Sequence, residues 1–399
     1  MPRPIVILSH IATLSITEGF LPAARRRGHP VLLLTDHAQD HWRELDKLGQ
    51  SAEGLEIHEC DVFNPLATIE LLQALGQQPF AVFSNSDHLQ TSTALVAEAF
   101  NCPGKSWRLC YAAKNKAVMR ERLGQLGLPC PWFSVITPDT AIPSNIPFPV
   151  VAKPREGVAS LDVHLCRDAA ELTDHCNTFW QRQPNRAVLL EAFLEGPLFT
   201  LETLGDGQRL QAIGGFDVDL SAPPHFVELE ARWNGPLTQM HRQAALAQVA
   251  AFGINFGVCH CEFILTAKGP VLVEINYRSI GDGREFLLDR LLPQGWFDRI
   301  MGLHLGDSLT EHQNGDAQAL VHYLIAPRAG RLLTATDSFQ QEHNGYLTDY
   351  QALRQAGEEI RISHSNKDYL GVLRVIAPDA GDLQAHLAQS REQLHWEFA

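Results

Sequence analysis

Basic charge is scarce in this chain. Its 32 Lys and Arg stand against 46 Asp and Glu, a formal net charge of -14, and Arg25–Arg27 is the sole basic cluster. Nucleic acid and anionic membranes both need a basic footprint, so neither is expected as a partner. Long apolar runs are missing too, none approaching the roughly 20 residues that span a bilayer. The opening IVIL is interrupted by Ser9 and His10 and lacks a convincing cleavage site, so it reads as a first strand and the expected compartment is the cytoplasm. Eight cysteines form no C-x-x-C pair, which in 399 residues argues for reduced thiols rather than a disulfide frame. Cys259-His260-Cys261 has no second pair to complete a zinc set. A G-x-G-x-x-G turn is missing after the first strand, where SHIATLSITEG stands, and this disfavours a dinucleotide site there. No G-x-S-x-G elbow announces a serine nucleophile.

What is present is an α/β pattern. The length exceeds one typical core, so two or three subdomains are expected. PIVILSH, a helical stretch ending at RRRGH, and VLLLTD give a β-α-β start of the kind that builds parallel sheets. PFAVFSNSD is a further strand running into an acidic loop. A helix is expected from about Lys114 to Leu126, closed by Gly127 and Pro129, before the proline-rich connector ITPDTAIPSNIPFP.

The middle of the chain carries the chemistry. PFPVVAKPREGVAS is an apolar strand that delivers Lys153 at its end and enters a loop holding Gly157 and Ser160. A lysine after four apolar residues is costly to bury unless an anion meets it, and a Gly/Ser loop presents backbone N–H groups to phosphate oxygens. Together they suggest a triphosphate; taken alone, the stretch fits a surface lysine before an ordinary turn equally well. VLLEAFLEG is an apolar strand broken by Glu191 and ended by Gly196. It suits an adenine ring resting on its backbone, and equally a core strand with one edge carboxylate.

Two later strands, VCHCEFIL and PVLVEIN, are joined by TAKG, a hairpin signal. Pairing them symmetrically about Lys268 sets Glu262 opposite Glu274 and His260 opposite Asn276, all on one face because strand side chains alternate. Directly opposed Cβ atoms sit about 4.5–5.5 Å apart, and two carboxylates so placed repel unless a proton or cation lies between them. Oxygen-only ligands argue for magnesium, which keeps waters and bridges to substrate phosphates. The competing reading is an exposed polar face of an ordinary hairpin.

In order and spacing, NKAVMRERLGQLGLPCP, VVAKP with its Gly/Ser loop, LLEAFLEGPLFTLE, PPHFVEL and GVCHCEFILTAKGPVLVEINYR resemble the ATP-grasp superfamily. Within it they resemble the carboxylate–amine ligases that include the L-amino acid ligases. The resemblance covers most of the chain and implies an α/β ATP-grasp fold in four parts. These are a Rossmann-like pre-ATP-grasp domain (1–110), a linker helix with the small subdomain (111–205), a metal and substrate subdomain (206–310) and a small C-terminal lobe (311–399).

It also implies that Lys116 and Lys153 contact ATP phosphates under the Gly157–Ser160 loop, and that Glu191, Phe193 and Leu194 lie on the adenine stretch. Glu262, Glu274 and Asn276 would hold Mg2+, with Mn2+ as the alternative, and Arg278 would meet a transferred phosphate or substrate carboxylate. Catalysis would fall to Arg278 and Lys153; Glu202, Glu228 and His260 match positions near the acceptor pocket. One departure stands out: where many members carry an acidic ribose contact, this chain has Leu198.

The implied reaction joins a small-molecule carboxylic acid to an amine or amino acid through an acyl phosphate, releasing ADP and phosphate. Dipeptide or siderophore-type metabolism is the expected setting, and a homodimer is the default for a soluble enzyme. The alternatives are a biotin-carboxylase-like or nucleotide-precursor enzyme, or a nucleotide-binding regulator without catalysis.

Overall fold

The computed structural model describes residues 3–157, 161–311 and 317–399. The first α/β unit is a parallel sheet in the order Leu55–Glu59, Val31–Thr35, Ile5–Leu8, Ala81–Phe83. Every residue of IVIL and VLLLT is buried, as a parallel sheet covered on both faces requires. Among the described residues no helix is long and apolar enough to cross a membrane.

The helix expected from about Lys114 to Leu126 is Lys116–Gln125, preceded by a separate helix Trp107–Lys114. Asn115 separates them, because its side chain accepts hydrogen bonds from the Ala117 and Val118 N–H groups at 3.2 and 3.3 Å and so caps the second helix. Lys116 therefore stands on the first turn of a fixed helix start. A small antiparallel sheet follows, in the order Phe133–Ile136, Val188–Ala192, Val150–Pro154, His164–Cys166, with helix Ala169–Arg182 packed on its apolar side.

Besides a three-stranded sheet of Glu359–Ile360, Gly330–Ala335 and Trp396–Phe398, the remaining chain builds a ten-stranded sheet whose pairs are all antiparallel. Its edge strand is Gly269–Asn276, followed inward by Phe256–Thr266 and Leu198–Asp206. Leu198–Asp206 thus belongs to the large sheet, although the sequence division at 205 assigns it to the small subdomain. The last region differs similarly. Strands Gln318–Ile325, Tyr369–Ala377, Tyr346–Ala352 and Phe339–His343 continue the same sheet, while Gly330–Ala335, Glu359–Ile360 and Trp396–Phe398 pair apart from it.

The hairpin brings Glu262 opposite Glu274 and His260 opposite Asn276, by a route other than the symmetric one. Thr266 pairs with Gly269, so the turn is the two residues Ala267 and Lys268, and pairing centres between them. A β-bulge at Val273 then restores the expected partners, since Phe263 faces Leu272 and Glu262 faces Glu274.

Close backbone approach fixes the sheet where it turns over. A Cβ at Gly215 would lie 1.9 Å from the Thr200 carbonyl oxygen. Next to it, the Phe216 N–H donates to Thr200 Oγ1 at 2.9 Å. Gly215→Ala is expected to destabilise the protein by about 1–3 kcal/mol, the usual cost of overpacking. Urea denaturation reads this directly; an unchanged midpoint contradicts the close approach.

Candidate active site

A cavity of 540 Å³ lies where the first sheet, the small sheet and the hairpin edge of the large sheet meet. Buried charge organises its floor. The Glu191 carboxylate takes Arg120 Nε on one oxygen and Lys153 Nζ on the other, each at 2.5 Å. Burial would raise the Glu191 carboxyl, but Arg120 and Lys153 outweigh it and hold it at about 2. Burial pulls the Lys153 ammonium below its ordinary value despite Glu191. Arg120 also donates to the Leu272 and Val273 carbonyls at 3.1 and 2.6 Å, so one guanidinium ties the small sheet to the bulge of the edge strand.

Lys116 Nζ donates to the Gly157 carbonyl and to Glu274 Oε1, both at 3.0 Å. Burial opposes the charge on both partners. Their mutual attraction prevails, raising Lys116 and lowering Glu274, with Lys153 adding to the effect on the carboxyl. His260 Nδ1 lies 2.7 Å from Glu202 Oε1, and its Nε2 lies 3.5 Å from Glu262 Oε1. Burial disfavours the imidazolium, yet Glu202 and then Glu262 push it up to about 10, so it is cationic at neutral pH. Arg278 Nη2 donates to Asn276 Oδ1 at 3.3 Å. Glu262, Glu274 and Asn276 therefore each have one oxygen facing a cationic side chain. Such a donor set fits a hard divalent cation, which exchanges one counter-charge for another.

The structure places the other expected residues unevenly. Phe193, Leu194, Gly157 and Leu198 line the cavity beside Lys153, and Ser160 lies outside the described residues. Glu191 also lines it, but its carboxylate serves the charge cluster rather than an adenine edge. Along Glu191–Leu194, the Ala192 and Phe193 N–H groups already donate to Trp132 and Pro149 carbonyls. Glu202 is fully buried beneath His260 and does not reach the cavity wall. Glu228 lines the cavity and pairs with Arg284, whose Nε donates to Tyr323 Oη at 2.7 Å.

Several residues absent from the sequence reading complete the site. Asp87 pairs with Lys114 and lies 3.7 Å from Arg278 Nε. Burial would raise its carboxyl, but Arg278 and Lys114 hold it at about 2. Asn85 Oδ1 accepts the Ser279 N–H at 3.0 Å, and Ser15 donates to Glu285. The acidic loop after PFAVF was the one available signal for this group; Ser15, Arg284 and Glu285 carried none.

The Glu191 cluster makes a stability prediction. Glu191→Gln leaves two buried cations short of their counter-ion and should cost about 3–5 kcal/mol by chemical denaturation at neutral pH. Because the folded carboxyl sits at about 2 against an ordinary 4.5, its contribution is present above pH 4.5 and is lost as pH falls toward 2. The wild type should lose more stability across that window than the variant does. Equal acid losses in the two proteins contradict this assignment.

The chain is similar to known proteins in sequence and in fold. Residues 113–282 match the model of the ATP-grasp domain. An uncharacterized Sinorhizobium fredii protein, y4rH, is 26% identical over 96% of this chain and 80% of its own length. Dapdiamide A synthase of Enterobacter agglomerans is 26% identical over 57% of this chain, which spans 58% of that relative. Among solved structures, an L-amino acid ligase from Bacillus licheniformis shares the fold with a TM-score of 0.79, at 19% identity over 100% of this chain and 99% of its own. The match to the ATP-grasp domain takes in Lys116, Lys153, Glu262, Glu274, Asn276 and Arg278.

Proposed function

We propose that this protein is an ATP-dependent carboxylate–amine ligase that activates an acid as its acyl phosphate and releases ADP and phosphate. The observation that carries this reading is the convergence of Lys116, Lys153 and Arg278 with Glu262, Glu274 and Asn276 on one cavity. The names of similar proteins, an L-amino acid ligase and dapdiamide A synthase, support the same class.

In the first step, a carboxylate oxygen of the acid forms a bond to the γ-phosphorus of ATP while the bond to ADP breaks. Lys116 and Lys153 hold the phosphates and neutralise charge as it shifts onto ADP. Glu262, Glu274 and Asn276 would hold Mg2+, which when bound supplies charge neutralisation between the phosphates. Arg278 stands two residues past the end of the strand that carries Glu274, where its guanidinium meets the transferred group or the acid. The N-terminal loop positions it through Asp87. In the second step the amine nitrogen attacks the acyl carbon, the carbon–oxygen bond to phosphate breaks, and the amide forms. The protein's own work is placement and electrostatics, with no covalent enzyme intermediate.

With magnesium and crossed panels of carboxylic acids and amines, the purified protein is expected to release ADP and phosphate. With the cognate acid, hydroxylamine in place of the amine should yield a hydroxamate in proportion to ADP. Arg278→Ala should lower hydroxamate formation by about 10²–10³, the scale of losing one transition-state donor. Release of AMP and pyrophosphate, or undiminished hydroxamate without Arg278, contradicts this mechanism.

A further inference from the structure

At the carboxyl end of the parallel sheet, outside the chemistry assigned above, three ligating side chains meet. Strands Ile5–Leu8 and Val31–Thr35 run side by side with Leu8 next to Leu34. His10 and Asp36 each stand two residues past that pair, so the register alone brings them together. His37 follows Asp36 and precedes helix Ala38–Lys47. Loops diverge at this end of a parallel sheet, and ligands of α/β units bind in the crevice they leave.

The three side chains converge on one point. His10 Nδ1 lies 2.8 Å from both Asp36 oxygens, and His37 Nε2 lies 3.9 Å from Asp36 Oδ2. One ligand atom from each residue falls within 4.8 Å of the other two. In a tetrahedral zinc site with bonds of about 2.0–2.1 Å, ligand atoms stand about 3.3 Å apart, a spacing that rotation of the imidazoles reaches. The side chains of His10, Asp36 and His37 are 35%, 28% and 44% exposed, so an ion can enter from solution.

The surroundings are built as a support. Buried Thr35 fixes the backbone under both histidines, donating its hydroxyl to the His10 carbonyl and accepting the His37 N–H, each at 3.1 Å. The second ring nitrogen of His37, Nδ1, faces Asp40 at 3.7 Å. A carboxylate behind an imidazole is the usual outer shell of a metal-bound histidine. The positive end of the helix would oppose a cation, but Glu59 accepts the Ala38 N–H there at 3.1 Å. Among the described residues Asp36 forms ion pairs with these two histidines and with no Lys or Arg.

We propose that His10, Asp36 and His37 bind a divalent cation of the zinc class, at a site separate from the hairpin face that suits magnesium. Two imidazoles with one carboxylate favour such an ion over Mg2+, which prefers oxygen ligands. His10 lines the large cavity together with Ser9, Ile11 and Thr13. A bound ion therefore ties the cavity-lining loop to the end of the second strand and stiffens that rim. The site does not depend on the ligase reading.

The test is titration of the chelator-stripped full chain with Zn2+ against a chromogenic indicator, in the presence of excess Mg2+. One Zn2+ per chain is expected to bind. Asp36→Asn and His37→Ala should each weaken it by about 100-fold or more, beyond the roughly 10–100-fold that loss of an outer-shell partner costs. Zn2+ should raise the melting temperature of the wild type and leave that of Asp36→Asn unchanged. Melting without metal checks that the variants fold; should either melt early, His10→Gln supplies the same comparison. Glu274→Gln should keep the Zn2+ affinity, which separates this site from the hairpin. Co2+ in place of Zn2+ should bind without the near-ultraviolet band of a thiolate ligand, which separates it from the eight free cysteines.

The site is overturned if Zn2+ does not bind stoichiometrically against Mg2+, if the Asp36 and His37 variants keep the affinity, or if bound Co2+ shows the thiolate band. Any of these leaves His10 and Asp36 as an ordinary ion pair.

Discussion

The site depends on one constraint: two carboxylates, Glu262 and Glu274, are held opposite each other on a half-buried hairpin face and cannot stay there without compensating charge. Lys116 bonds one, and His260 stands near the other. These partners impose demands in turn. Lys116 must start a helix at a capped position, His260 must be backed by Glu202, and Lys153 must be balanced by Glu191. Arg120 then balances Glu191 and binds the carbonyls beside the Val273 bulge. That bulge sets Glu262 against Glu274. The loop of dependence closes on itself, and it draws on the linker helix, the small sheet and the large sheet together.

Such a network holds counter-charges that a magnesium–triphosphate would replace. Its lysines are committed to carboxylates or carbonyls, and its carboxylates to cations. Binding thereby becomes an exchange of partners rather than the burial of new charge, which limits the desolvation cost. Pre-positioned donors are also what charge migration during phosphoryl transfer requires.

Much of this was legible in the sequence because strand alternation is a local rule. The period of two put Glu274 and Asn276 on one face of their strand. Their opposition to Glu262 and His260 depends on the Val273 bulge, which symmetric pairing lacks, and the apolar run ending in Lys153 left a buried cation and a surface lysine equally open. The parallel start was equally readable from IVIL and VLLLT. What stayed hidden depends on contacts far apart in the chain. Arg120 sits in the expected helix of NKAVMRERLG, where nothing local marks it as buried; Glu191 and the hairpin carbonyls do that from far along the chain. Asp87 and Ser15 reach the site only because the N-terminal unit docks on the loop after the hairpin. The continuation of the large sheet into 318–377 was missed because strand order in a sheet is not strand order in sequence.

The most direct measurement is the affinity of a non-hydrolysable ATP analogue by calorimetry, with and without magnesium, in the wild type and in Glu274→Gln. If the hairpin carboxylates are the metal's seat and the lysines its stand-ins, magnesium tightens binding strongly in the wild type and that gain largely disappears in the variant. The same magnesium gain in both proteins would contradict it, and would return the hairpin face to ordinary polar surface.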